Sequence, residues 1–119
     1  MRIEIRDQKL GISKEFRTKT VDRLQLAVGR FGPDLPRVVV RYSELNGPRG
    51  GVDKCCRIAL HTVGFGTVVA EGVGSNLSSA LARASDRASR AMSRVRARAQ
   101  FRKRVRFAPL VRWPQPLGS

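Results

Sequence analysis

RVVVRYSELNGPRGGVDKCCRIALHTVGFGTVVAEG, residues 37–72, decides the fold, because it reads as three consecutive strands separated by two glycine-marked turns. Arg37 to Leu45 is rich in valine, and alternation puts Val38, Val40 and Tyr42 on one face. Asn46-Gly47-Pro48-Arg49-Gly50-Gly51 then reverses the chain, since glycine and asparagine reach backbone conformations closed to other residues and proline ends pairing. Val52 to Thr62 is the next strand, with Cys56, Ile58 and Leu60 sharing a face. Gly64-Phe65-Gly66 marks a hairpin into a further strand, Thr67 to Gly72.

Upstream, Arg2 to Gln8 alternates as a strand, with Ile3 and Ile5 on one side and Arg2, Glu4 and Arg6 on the other. Ser13 is suited to cap a helix, and Glu15 places a negative charge in its first turn, where the helix dipole favours it. That helix is expected to run to about Arg30, burying Val21, Leu24, Val28 and Phe31, and to stop at Gly32-Pro33. Downstream, Ser75 or Asn76 caps a second helix reaching at least Arg98 and as far as Arg106. Its apolar stripe is Leu77, Leu81, Ala84, Ala88, Met92 and Val95, and Pro109, Pro114 and Pro116 punctuate the segment after it. No internal repeat is visible. The order β-α-β-β-β-α implies an α+β domain with one four-stranded sheet, both helices on a single face, and the other face open with residues such as Arg41 and Arg57. Residues 1–100 make the domain; residues 101–119 are expected to be a basic, proline-bearing and flexible C-terminal tail.

With 119 residues, 41% of them apolar, the chain suits one domain with a modest core. Its charge is extreme: 24 Lys and Arg against 9 acids, a net +15. Such a surplus repels itself and favours a polyanionic partner. No apolar run is long enough to span a membrane, and the opening MRIEIRDQKL has no apolar signal core, so a cytoplasmic protein without membrane contact is expected. A disulfide between the adjacent Cys55 and Cys56 would be strained, because neighbours in a strand point to opposite faces; reduced thiols are the simpler reading.

The charge is concentrated late in the chain. Ser75 to Arg106 holds ten basic residues and one acid, Asp86. On a helix, Arg83, Arg87, Arg90, Arg94 and Arg98 fall within a sector of roughly 80°, centred roughly 100° from the apolar stripe. Like charges at i,i+4 destabilise a helix, and a counter-anion would relieve Arg83/Arg87, Arg90/Arg94 and Arg94/Arg98. An ordinary solvated helix face mixes signs, which this one does not. Arginine also grips two phosphate oxygens at once and stacks on unpaired bases. Lys19, Arg23 and Arg30 form a weaker row on the first helix, next to Asp22, and a simple solvated face accounts for it equally well. Arg102 to Arg106 extends the basic run, interleaved with Phe101, Phe107 and Trp113. That mixture suits single-stranded nucleic acid, but also a solubilising tail or aromatics folded back on the core.

Little points to catalysis. His61 is the only histidine and has no evident acid partner, so a structural role is expected. Cys55, Cys56 and His61 match no zinc spacing, and no metal or other cofactor is expected. Gly47, Gly50 and Gly51 suggest a phosphate loop only faintly, since no helix comes after them; a hairpin-like turn is the stronger account, with Asp53 capping its amides and Lys54 projecting towards an anion.

NGPRGGVDKCCRIAL, Asn46 to Leu60, with the preceding RVVVRYSEL and the later LSSALARASDRASRAMSR, resembles the hibernation promoting factor and ribosome-associated inhibitor A family over about residues 1–100. The resemblance implies the β-α-β-β-β-α fold, similar to a double-stranded-RNA-binding domain with an extra strand. It implies a partner, the ribosomal RNA of the small subunit, and a role in the decoding channel of the ribosome. There such a factor overlaps the messenger and transfer RNA sites and silences translation under stress. Carried onto this sequence, the RNA contacts are Arg83, Arg87, Arg90 and Arg94, and less securely Lys19, Arg23 and Lys54, with Arg98 and Arg102 continuing the basic row. Long members carry a separate dimerisation domain, for which the residues after Arg106 are too few, so the free protein is expected to be a monomer that does not pair ribosomes by that route. The tail matches no pattern of the family. Charge by itself says only polyanion. It leaves open a free-standing RNA or DNA binder acting away from ribosomes, and a protein-interaction module using the open sheet face. An enzyme using Cys55 or Cys56 is remote.

Overall fold

The computed structural model describes residues 1–8, 10–45 and 53–107, with side chains through residue 100. The glycine loop after Leu45, the side chains of Arg102 and its neighbours, and the segment after Phe107 lie outside the described residues. The elements are β1 (Arg2–Asp7), α1 (Lys14–Val28), a 3-10 segment (Gly29–Asp34), β2 (Arg37–Glu44), β3 (Lys54–His61), β4 (Thr67–Gly74) and α2 (Leu77–Phe107). The four-stranded sheet has the order β1-β2-β3-β4, with β1 parallel to β2 and the remaining pairs antiparallel. This is the α+β architecture and element order expected from the sequence.

Local chemistry places the boundaries. Ser13 Oγ accepts the Phe16 N–H at 3.1 Å and starts α1. Its regular turns end at Val28, and the tighter 3-10 segment delivers Phe31, 2% exposed, into the core. Asn76, rather than Ser75, caps α2, its Oδ1 accepting the Ser79 N–H at 2.8 Å. The neck of the glycine loop is closed by Leu45 N–H donating to the Asp53 carbonyl, 2.7 Å.

The core lies between the helices and one sheet face. Val38, Val40 and Tyr42 of β2, and Cys56, Ile58 and Leu60 of β3, meet Leu24 and Val28 of α1 and Leu81, Ala84, Ala88 and Met92 of α2, all essentially without solvent exposure. Val21 is only half-buried; the fully buried residue one position earlier is Thr20. Its hydroxyl donates to Phe16 O at 2.9 Å and accepts from the Tyr42 hydroxyl at 2.7 Å, so both buried oxygens are satisfied. Gly72 and Gly74 of β4 bring the strand against the backbone of α2: a Cβ on Gly72 would meet Ala84 N, Ala80 O at 2.5 Å and Arg83 C at 2.9 Å. This close approach fixes where α2 crosses the sheet.

Cys55 and Cys56 are free thiols, and both are buried. Burial pushes the Cys56 thiol up to about 12 and the Cys55 thiol also upwards, so neither is a ready thiolate. Cys56→Ser is expected to cost about 1–3 kcal/mol, because it buries a hydroxyl among Tyr42, Ile58 and Leu60. Cys55→Ser should cost less, and binding of the polyanion expected from the charge should persist in both. Thermal melting combined with a polyanion-binding titration checks this; loss of binding in a folded Cys55→Ser protein would reveal chemistry at that thiol.

Candidate nucleic-acid interface

Because Gly72 and Gly74 seat α2 against β4, the arginines of α2 overhang the edge of the sheet. β4 is last in the strand order, so its outward carbonyls lack ladder partners. Two arginines occupy them: Arg83 Nη1 donates to Val73 O at 2.6 Å, and Arg87 Nη1 donates to Glu71 O at 2.9 Å. Each guanidinium has five N–H donors in a fixed fork, so one carbonyl bond leaves the others facing solvent and holds the group in place.

Further along, Arg90 pairs with Asp86 at 2.9 Å, with both side chains more than half exposed (69% and 58%). Such a pair contributes little and yields readily to a phosphate. Arg94 has no ion pair among the described residues; with Arg87, Arg90, Ala91, Val69 and Glu71 it borders a shallow groove between helix and sheet edge. Arg98 lies beside Gly64 and Phe65 of the β3–β4 turn. Thus Arg83, Arg87, Arg90, Arg94 and Arg98 form one track, running from the β4 end at Val73 towards that turn.

The other expected basic residues sit elsewhere. Lys19 donates to Ser78 Oγ and lies 5.9 Å from the Phe16 ring centre. Arg23 lines a cleft with Leu26, Ala27, Ser85, Asp86 and Ser89 between the two helices. Arg30 donates to Ser89 Oγ at 3.2 Å and Ser93 Oγ at 3.0 Å, and stacks 4.6 Å from the Phe31 ring centre. The α1 residues therefore face a seam on the other side of α2. Lys54 bonds Glu44 at 2.7 Å and Asp53 at 3.2 Å, and these carboxylates hold its pKa above the usual lysine value. His61 Nδ1 shares a 3.2 Å hydrogen bond with Thr67 Oγ1. Among the described residues no three His, Cys, Asp or Glu side chains gather as metal ligands would, and no helix is long and apolar enough to cross a membrane.

The result is an α+β domain whose second helix lays a track of arginines along a sheet edge. No family model matches the chain, and no curated protein matches it in sequence. Solved structures do share its fold. It superposes on the N-terminal domain of Protein Y from Thermus thermophilus with a TM-score of 0.63 and 24% identity, covering 80% of this chain and 96% of that one. It also superposes on a ribosomal subunit interface protein from Coxiella burnetii with a TM-score of 0.68 and 16% identity, covering 82% and 99%. The fold implied by the resemblance in residues 46–60 is the fold found.

Proposed function

We propose that this protein is a ribosome-associated factor of the hibernation-promoting kind, acting by binding rather than catalysis in the cytoplasm. In this reading Arg83, Arg87, Arg90, Arg94 and Arg98 grip ribosomal RNA of the small subunit in the decoding channel, where the domain excludes messenger and transfer RNA. Lys19, Arg23, Lys54 and Arg102 are secondary contacts. The observation that carries the reading is the α2 track: five arginines on one helix face, anchored at one end by strand carbonyls, with Asp86 the one acid of the helix among the described residues. The fold shared with a ribosomal subunit interface protein supports the choice of polyanion.

Sedimentation of stationary-phase lysate tests it, with co-migration with small subunits or whole ribosomes expected; free protein at the top of the gradient would refute the ribosomal role. Binding should also be steeply salt-dependent. Neutralising about five to eight phosphates corresponds to a log–log slope of roughly −4 to −7. A nearly flat response would point to an apolar or protein-mediated contact instead.

A further inference from the structure

We infer that the open face of the sheet is a second phosphate-binding surface, so that the domain grips RNA on two sides. The inference rests on the RNA-binding reading above but on different residues. The strand register places Arg6 of β1 opposite Arg41 of β2, and Arg41 opposite Arg57 of β3. Three arginines thus stand side by side across three strands, spaced by about 4.8 Å per strand. Directly opposed like charges destabilise a sheet. The same face carries Arg2 and Arg37, against only two carboxylates, Glu4 and Glu71.

Both carboxylates are already engaged. Glu4 receives two hydrogen bonds from Arg37, at 2.8 and 3.2 Å, and lies 3.4 Å from Arg6; these cations hold its carboxyl down at about 2. Glu71 pairs with Arg57 at 3.4 Å. Arg41, exposed and flanked by two arginines, has no carboxylate within ion-pair distance among the described residues. All nine Asp and Glu side chains of the protein belong to those residues, and none of them pairs with Arg41. Its missing counter-charge is one that a bound phosphate supplies.

The rest of the face indicates how the RNA is met. The neighbouring row is Glu4, Val39, Ala59 and Val69, and no Phe, Tyr or Trp stands on this face of the four strands. A platform of large aromatic rings for stacking bases is therefore absent from the strands, and the surface suits the backbone of structured RNA rather than splayed bases. The surface is also continuous with the α2 track. The arginine row ends at Glu71, whose backbone carbonyl is the one Arg87 holds. Glu71 is thus the one residue that touches both surfaces, its carboxylate paired with Arg57 on the sheet and its carbonyl held by Arg87 of the helix.

Arg41→Glu separates this role from a structural one. The new carboxylate lies between Arg6 and Arg57, so the melting temperature should stay level or rise. Affinity for a labelled RNA duplex and for purified small subunits should nevertheless fall about tenfold or more, with the salt slope shallower by about one to two. Arg41→Gln, which cannot misfold through a misplaced charge, should fall about threefold and lose about one unit of slope. Wild-type affinity and slope in both variants would overturn the proposal. If the α2 arginine variants lose binding while the Arg41 variants do not, only the sheet surface is refuted. If the unaltered protein binds neither probe, the RNA reading fails with it. Unchanged RNA binding with loss of an acidic protein partner would reassign the face to protein recognition.

Discussion

Changing Arg87, Arg90 and Arg94 together to glutamate is expected to lower RNA affinity by about 10³-fold or more while the protein still melts close to its normal temperature. A charge-assisted contact contributes about 1.5–3 kcal/mol, so three lost contacts remove over half of a micromolar binding energy, and reversed charges add repulsion. The fold has little at stake in these side chains. Arg90 gives up only an exposed pair with Asp86, Arg94 gives up no ion pair, and Arg87 gives up one bond to the Glu71 carbonyl. Leu81, Ala84, Ala88 and Met92 remain packed beneath them. A loss of about 1 kcal/mol shifts the melting temperature by about 4–8 °C in a domain of this size. Met92→Asp should do the reverse, because Met92 is fully buried and the new carboxylate has no partner: the fold fails first and binding only in consequence. Melting and in vitro translation inhibition, measured on both variants, decide the matter. A triple variant that melts normally and still silences translation would move the function off α2, to the sheet face or the C-terminal segment.

Gly72→Val is expected to be strongly destabilising. A side chain there meets helix backbone, not a flexible side chain, so nothing gives way locally. To make room, α2 must lift from β4, loosening Ala80, Leu81, Ala84, Ala88 and Met92 from the core at once. Ordinary overpacking costs about 1–3 kcal/mol, and this case belongs at or above the top of that range. Against a total stability of about 5–15 kcal/mol, the melting temperature should drop by on the order of 15 °C. Gly72→Ala should show a smaller loss in the same direction. RNA binding falls with the fold here, whereas in the arginine variant it falls alone. An undiminished melting temperature for Gly72→Val would show that helix and strand do not approach so closely.

Periodicity was legible in the sequence because it is local. Alternation at Val38, Val40 and Tyr42, and at Cys56, Ile58 and Leu60, identified the buried faces of two strands, and the spacing of Leu81, Ala84, Ala88 and Met92 identified the buried side of α2. The same helical geometry placed the five arginines in one sector, and the resemblance in residues 46–60 pointed to the fold that the solved neighbours share. What stayed hidden depends on partners distant in the chain. Thr20 reads as a polar helix residue until Tyr42 arrives to hydrogen-bond it. Arg30 reads as a free cation until Ser89 and Ser93 of α2 surround it. Gly72 reads as the end of a strand, and only the crossing of α2 shows that no Cβ fits there. The sequence alone therefore determined the elements, their inward faces and the excess of positive charge, since these arise from the 2.0 and 3.6 residue periods and from simple composition. Only the tertiary structure decided which arginines anchor on strand carbonyls and which stand opposite one another across the sheet, because strand register and helix crossing are properties of packing between segments that no local pattern encodes.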